Sequence, residues 1–361
     1  MEILKLVLGT IFICTALSDI QSVQLLCRHG ARSPMIEYPN YKHKNHWKNG
    51  AGVLTTVGMR ECYDAGIFFR TFYHDLISNT SFPQSVEAYS AEKDRVLQSA
   101  EALLAGLYPP IYEKAVAVDL LWRPIPVRVF SVESDYYLQG VDIDKCPALA
   151  KEYTEIYFSE IVKDFVNQEK AFIEKMCTLA GYRKFDYLDM FVCVFALTDC
   201  FNCDKAANLS RPTWISSEEE SHLQRIKGSF LTILNKDFPE YSYLSSGGGP
   251  LLGKIVNNLN NFSASAEKHF VLFHAHDITI ASFLGNLNFT IYYDPPFASC
   301  VAVELHSENQ EFYVEMRYHN STDSPAPLTL QGCSQQCPLK QFLSLTSNRV
   351  NLHPEEECLL P

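Results

Sequence analysis

Two short segments of this 361-residue chain concentrate side chains suited to holding an anion and moving a proton. The first is Arg28-His29-Gly30-Ala31-Arg32-Ser33-Pro34, directly after the apolar run Val23 to Cys27. Two guanidiniums flank one imidazole. The planar guanidinium fork of N–H donors matches phosphate oxygens, and a glycine at position 30 lets the backbone approach a ligand closely. A lone Arg-His-Gly tripeptide reads equally well as solvated loop charges; the full R-H-G-x-R-x-P pattern at a strand end is far more specific. The second segment, His274-Ala275-His276-Asp277, ends the apolar run Phe270 to Phe273 just before a helical stretch. Taken alone, Asp277 is a helix N-cap with a histidine beside it. Both segments, however, occupy the place where open α/β sheets put their ligands, the carboxyl end of a strand. Two such ends converge at one sheet edge, and their joint occurrence points to an enzyme.

The elements that must position these segments alternate in type. Val23 to Cys27 reads as a buried strand. Apolar residues from Thr55 to Leu76 recur at helical spacing. Val86 to Ser90 reads as a strand, about Glu92 to Leu107 as a helix stopped by Pro109-Pro110, and Val127 to Val132 as a third strand. From Asp135 to Arg225 strand signals fade, and Cys146 to Met176, Lys184 to Leu197 and Ser216 to Leu234 all favour helix. The α/β pattern returns with Gly247-Gly248-Gly249-Pro250 before a helix, a strand at His269 to Phe273, a helix at Ile278 to Leu287, and a hairpin-like pair, Cys300 to His306 and Glu311 to Tyr318. The expected fold is α/β: a mixed β-sheet flanked by helices, with a smaller helical cap whose insertion forms a cleft wall. The boundaries are a signal peptide at 1–18, the first α/β part at 19–134, the cap at 135–225 and the second α/β part at 226–361.

Apolar residues make up 47% of the chain and charged ones 20%, the balance of a folded globular protein rather than a disordered one. The formal charge of −12 gives no general footprint for nucleic acid or an anionic membrane, so an anionic substrate must be held by local positive charge. Leu6 to Leu17 is apolar and gives out at Ser18-Asp19, with Ala16 and Ser18 at the small positions of a cleavage site. That reads as a cleaved secretory signal rather than a membrane anchor, and no second stretch of spanning length follows. Five acceptor sequons, at Asn79, Asn208, Asn261, Asn288 and Asn320, suit a secreted glycoprotein. Of the twelve cysteines, Cys14 lies in the signal, leaving an odd number in which at least one thiol stays free or pairs outside the chain. Cys200-Phe201-Asn202-Cys203 has the spacing of half a zinc site but no second CxxC accompanies it, and no metal is expected.

With R-H-G-x-R-x-P at Arg28 to Pro34, His276-Asp277 late in the chain, an intervening stretch of matching length, and the late pattern Gly332-Cys333-Ser334-Gln335-Gln336-Cys337-Pro338-Leu339, the sequence resembles the histidine acid phosphatases over nearly all of its mature length. The branch is that of prostatic, lysosomal and insect venom acid phosphatases. The resemblance implies that His29 is a nucleophile forming a phosphohistidine, that Arg28, Arg32 and His276 bind the phosphoryl group, and that Asp277 protonates the leaving alcohol. It implies no metal or other cofactor, and a homodimer. Neighbouring arginines would keep His29 deprotonated in mild acid, while Asp277 must carry a proton to act, so activity is expected to favour pH below neutrality.

One position departs from the prostatic and lysosomal pattern. Where those members carry a third phosphate-binding arginine, this chain has Tyr89, which offers one hydroxyl in place of a charged fork. Lys93 or His274 is the candidate to compensate, His274 because strand alternation puts it on His276's side. The resemblance also implies the disulfides Cys146–Cys358, Cys200–Cys300 and Cys333–Cys337. Cys27 then reads as a buried core thiol, and Cys62, Cys177, Cys193 and Cys203 stay unassigned. The favoured reading is a secreted acid phosphatase acting on phosphate monoesters, with lysosomal delivery as a second destination. The alternative is a weakened or inactive secreted relative that serves as a binding protein, which Tyr89 favours. A phosphotransferase or phosphomutase fits the signal and the cysteines less well.

Overall fold

The computed structural model describes residues 19–77, 86–110, 116–117, 119–120, 122–130, 135–138, 146–183, 186–236, 248–320 and 324–358. The expected signal segment and Asn79 lie outside them. The central sheet is built on β1 (Asp19–Arg28), whose last seven residues are all buried, as a strand covered on both faces must be. With β2 (Val86–Ser90), β3 (Val127–Val129), β4 (His269–Ala275), β5 (Cys300–Glu308), β6 (Glu311–His319), β7 (Ala326–Leu328) and β8 (Cys337–Pro338), it forms a sheet of order β3-β2-β4-β1-β5-β6-β7, with β8 on β6. Strands β3, β2, β4 and β1 run parallel, and β5 joins β1 antiparallel, so the sheet is mixed. Asn309 and Gln310 both adopt left-handed backbone, the two-residue turn that closes the β5–β6 hairpin.

Two helices, α1 (Thr56–Phe72) and α2 (Asp94–Leu107), cover one face over a core containing Leu25, Phe69, Leu103 and Leu272. The other face carries α7 (Gly248–Ser263) and α8 (Asp277–Asn286), with Leu251, Ile255, Phe273 and Phe283 between the layers. Four further helices, α3 (Pro147–Tyr157), α4 (Glu160–Leu179), α5 (Tyr187–Ala206) and α6 (Ser217–Lys236), enclose a separate core around Ile173, Val194, Leu197 and Phe230. The single helical stretch expected from Cys146 to Met176 is broken at Phe158-Ser159, where the Ser159 hydroxyl accepts from Val162 N–H and caps a new helix. Short α9 (Leu339–Thr346) and α10 (Pro354–Cys358) follow the sheet.

The disulfides differ from expectation at one pair. Cys27 lies opposite Cys300 across β1 and β5, and these two are bonded, with Cα atoms 4.1 Å apart. Cys27 is therefore no core thiol, and the Cys200–Cys300 pair does not form. The physical reason is register: strand pairing fixes Cys300 against β1, while α5 turns Cys200 toward the Ile36 carbonyl, which accepts from its thiol. Cys177–Cys193 ties α4 to α5, and Cys333–Cys337 forms as expected. Cys146 is disulfide-bonded, whereas the side chain of Cys358 lies outside the described residues. Cys62, Cys200 and Cys203 are buried free thiols.

Candidate active site

The carboxyl ends of β1 and β4 are adjacent, with Arg28 paired to Ala275. The chain therefore emerges as two neighbouring turns carrying His29 and His276, whose rings lie edge to face with centroids 5.6 Å apart. The 29–33 loop is held by nearly every polar group it owns. His29 N–H donates to the Ala275 carbonyl, Gly30 N–H to Ser99 Oγ, Ala31 N–H to Glu61 Oε2, and Ser33 N–H to the Val53 carbonyl. Thr55 returns both its N–H and its hydroxyl to the Ala31 carbonyl. Gly30 serves a purpose other than the expected approach to a ligand: a Cβ there would overlap the backbone of Gly58, so a glycine pair lets the amino end of α1 press on the loop.

A cavity of about 400 Å³ opens over these turns. His29, Arg32, His276 and Asp277 all line it, together with Lys93 and Arg95 from the start of α2, Phe195, Ala196 and Asp199 from α5, and Lys227 and Leu231 from α6. Arg32 Nη1 lies 2.9 Å from Asp199 Oδ1, and Asp199 also accepts from Met35 N–H. A carboxylate of the helical layer thus orients the guanidinium of the catalytic-loop candidate.

His29 Nδ1 lies 2.9 Å from the Gly30 carbonyl. A carbonyl oxygen only accepts, so Nδ1 carries the proton and Nε2 keeps its lone pair. That Nε2 is buried and has no partner among the described residues. Burial, then Arg28, Arg32, His276 and Arg95, hold the imidazole well below its usual range, in its neutral form. Burial and Arg95 likewise push His276 down to about 3.

Arg28 is 1% exposed and is not among the residues lining the cavity. Its guanidinium donates to Asp277 Oδ2 at 2.8 Å and to the Pro295 carbonyl, and it covers the ring of Phe297. The expected phosphate ligand is thus directed at carboxylates. Asp277 opens α8, and its Oδ1 accepts from Ile278 N–H at 2.9 Å. Although burial favours the neutral acid, Arg28, then Lys227 and Arg32 outweigh it and hold the carboxyl well below the usual carboxylate range. In the free site Asp277 is therefore ionised, so the proton it must carry to act has to be acquired.

Tyr89 and His274 do not line the cavity. Tyr89 pairs with Phe273 in the register of β2 and β4, stacks between Phe130 and Phe273, and donates its hydroxyl to Glu87. His274 is wholly buried in β4, with neither ring nitrogen partnered among the described residues, and burial pushes it down to about 3. Strand register places it inside the sheet, between Cys27 and Ser90, rather than beyond the strand's end.

The guanidinium that does join Arg32 is Arg95. Burial and then Arg32 lower it to about 10, and its Nε is buried without a partner among the described residues. The rule that singled out His29 and His276 would have found it, since Arg95 begins the helix after the strand next to β4. Lys227, Asp199 and Asp294 belong to no motif, and only tertiary packing brings them in.

The sequence profile of the Histidine phosphatase superfamily (branch 2) matches residues 19–319. Prostatic acid phosphatase of Bos taurus is 31% identical over 345 residues, covering 95% of this chain and 88% of its own. Lysosomal acid phosphatase of Xenopus laevis is 32% identical, covering 94% of this chain and 79% of its own. Among solved structures, the phytase from Citrobacter braakii superposes with a TM-score of 0.71 at 16% identity, covering 95% of this chain and 100% of that one. The Hafnia alvei phytase gives 0.69 at 18% identity, covering 95% and 99%.

Proposed function

The chain belongs to branch 2 of the histidine phosphatase superfamily, and from that premise we propose that it is an acid phosphatase hydrolysing phosphate monoesters through a phosphohistidine on His29. The observation that carries this reading is the neutral imidazole of His29, its Nε2 without a partner among the described residues, lining a cavity that also holds Arg32, Arg95 and His276. Nε2 attacks phosphorus, the P–N bond forms as the ester P–O bond breaks, and the cations stabilise charge on the equatorial oxygens. The leaving oxygen takes its proton from Asp277. Because Asp277 is ionised in the free site, that proton arrives with the substrate, as the phosphate monoanion that predominates below its second ionisation at about pH 6. Phosphate bound against Arg32 and Arg95 offsets the cations that hold Asp277 ionised, so the proton passes to the carboxylate and on to the alcohol. Water then cleaves the P–N bond while Asp277, ionised again, accepts its proton. Acid-side activity follows from the state of the substrate.

Part of the cavity wall, Met35, Ile36, Phe195, Leu231 and Ile278, is apolar and favours a leaving group with an apolar body. The binding-protein alternative rested on Tyr89, and that residue lies away from the cavity while Arg95 supplies the second charged fork. Exposed Asn208, Asn261 and Asn288 suit glycan attachment, and disulfides suit an oxidising compartment, so we place the protein in the secreted or lysosomal pathway. Among the described residues no helix is long and apolar enough to cross a membrane. The test is hydrolysis of an aryl phosphate by the purified protein from pH 4 to 8 beside His29→Ala. Turnover on the acid side, lost in His29→Ala together with acid-labile, base-stable incorporation of phosphate, is the expected result; an alkaline optimum or an active His29→Ala overturns the reading.

A further inference from the structure

Behind Asp277 lies a ring of alternating charge. Arg28 Nη2 is 2.8 Å from Asp277 Oδ2, and Lys227 Nζ is 3.8 Å from the same oxygen. Lys227 Nζ is also 2.8 Å from Asp294 Oδ2, which lies 3.5 Å from Arg28 Nη1 and closes the ring. Lys227 is 4% and Asp294 7% exposed, so the pair has little water around it. Paired charges this deeply buried are poor stabilisers, because desolvation consumes most of their attraction. The placement is nevertheless built with care. A Cβ at position 228 would overlap the Tyr292 backbone, so Gly228 lets α6 close on the segment before Asp294. One turn on, the Thr232 hydroxyl donates to the Ile291 carbonyl and accepts from Ile291 N–H. These contacts fix Lys227 against Asp294 in register. Asn202 Nδ2 adds a further contact to Asp294 Oδ2 at 3.3 Å, and Phe195 faces the ammonium. Asp294 Oδ1 is buried with no partner among the described residues.

Resting on the reading of Asp277 as the proton donor, we propose that Lys227 and Asp294 are positioning residues for it: a buried ion pair whose two charges, laid against one carboxylate, determine when that carboxylate holds the leaving-group proton. Both line the cavity on the side of Asp277, and each spends its charge on a protein partner. The groups facing Asp277 are Arg28, His29 and Arg32 from the end of β1 and its loop, Lys227 from α6, Asp294 from the segment before β5, Arg95 from α2 and His276 from the end of β4. Among the charged members, Asp294 is the anion that offsets Lys227 and Arg28 directly. Removing Lys227 leaves Asp277 and Asp294 to share Arg28, and makes Asp277 hold its proton to higher pH. Removing the charge of Asp294 does the reverse. The same arrangement keeps Asp277 ionised until a phosphate anion enters.

The experiment uses the whole protein and follows the single-turnover rate of His29 phosphorylation from pH 4 to 8 with an alkyl phosphate, which needs the proton, and a nitroaryl phosphate, which hardly does. For the alkyl ester the alkaline limb is expected to move up by about one pH unit in Lys227→Met and down by about one in Asp294→Asn, as an opposite or like charge at this range shifts a carboxyl. The double variant is expected to return close to the parent, and the nitroaryl profile to move little in any of them. Limbs that stay in place, or move in the same direction, overturn the proposal, since a merely structural role lowers rates without shifting the limbs in opposite senses. If circular dichroism shows Lys227→Met unfolded, Asp294→Asn decides alone: a downward limb supports the proposal and an unmoved one ends it. A parent that turns over neither ester defeats the phosphatase reading itself, whereas an active parent with unmoved variants defeats only the role of the pair.

Discussion

Replacing Arg95 by Gln separates the two residues that compete for the place of the second charged fork. Arg95 stands in the first turn of α2, partly buried, near Arg32 and facing the cavity. One charge-assisted hydrogen bond to a bound phosphate is worth about 1.5–3 kcal/mol. At 1.36 kcal/mol per factor of ten, Arg95→Gln should lower kcat/KM for an aryl phosphate by about ten- to 150-fold and weaken inhibition by inorganic phosphate over a similar range. Stability should move the other way. A cation at the amino end of a helix opposes the helix dipole, and Arg95 is lowered to about 10 by burial and by Arg32, so its charge is resisted in the free protein. The melting temperature of Arg95→Gln is therefore expected to hold or rise as activity falls, as happens when a residue is kept for function. Tyr89→Phe is the control: it loses only the half-exposed hydroxyl bond to Glu87 and should leave kcat/KM within about twofold and stability within about 1 kcal/mol. Equal activity of Arg95→Gln and the parent, or a larger loss in Tyr89→Phe, would refute the assignment.

Peptide mapping under non-reducing conditions should recover Cys27 joined to Cys300 and Cys200 as an alkylatable thiol once the chain is unfolded; a Cys200–Cys300 peptide would show the register argument to be wrong. His274 is buried neutral and lowered to about 3 against about 6.5 in the unfolded chain, so the unfolded state binds the extra proton and stability is full above pH 6.5 and declines as pH falls toward 3. His274→Leu should therefore lose less stability than the parent between pH 7.5 and 5, by about 2 kcal/mol in denaturant titrations, and a parallel loss in both proteins would contradict this. Ile36→Asp, at the cavity's apolar rim, should raise KM for an aryl phosphate more than for a small alkyl phosphate, measured at one pH; equal effects would remove the apolar wall from leaving-group choice.

The sequence made the catalytic-loop candidates legible because they follow strands with unmistakable patterns. The buried run of β1 and the apolar run of β4 each end in imidazole and charge, and strand adjacency then brings His29 to His276. Alternation misled at His274 because it assigns a face within the strand, whereas the cavity lies beyond the strand ends; Tyr89, singled out by family resemblance, also lies within its strand and away from the cavity. Counting cysteines could not choose Cys27 as the partner of Cys300, since that choice depends on the β1–β5 register. The break between α3 and α4 carried a readable sign, Ser159, hidden within continuous apolar spacing. Lys227, Asp199 and Asp294 left no trace: each is a single ordinary charge whose meaning comes from a helix packing against a loop far away in the chain.

The free site is electrostatically uncomfortable, and that discomfort is what a phosphoryl group relieves. Arg32 and Arg95 face one cavity with neutral His29 and His276 between them, and burial and the arginines disfavour a proton on either imidazole. A site that could rearrange would relax by turning these cations outward to water. It cannot, because the 29–33 loop spends its backbone donors on Ser99, Glu61, Val53 and Ala275, while Asp199 fixes Arg32 from the helical layer. The donors thus stand oriented before any anion arrives, so binding and bond cleavage need no costly reorganisation. Asp277 follows the same logic with opposite sign: Arg28, Lys227 and Arg32 strip its proton, and only an incoming negative charge can return it. Proton delivery is thereby tied to phosphate occupancy, which links an acid-side rate to the substrate and leaves the empty site without a poised acid.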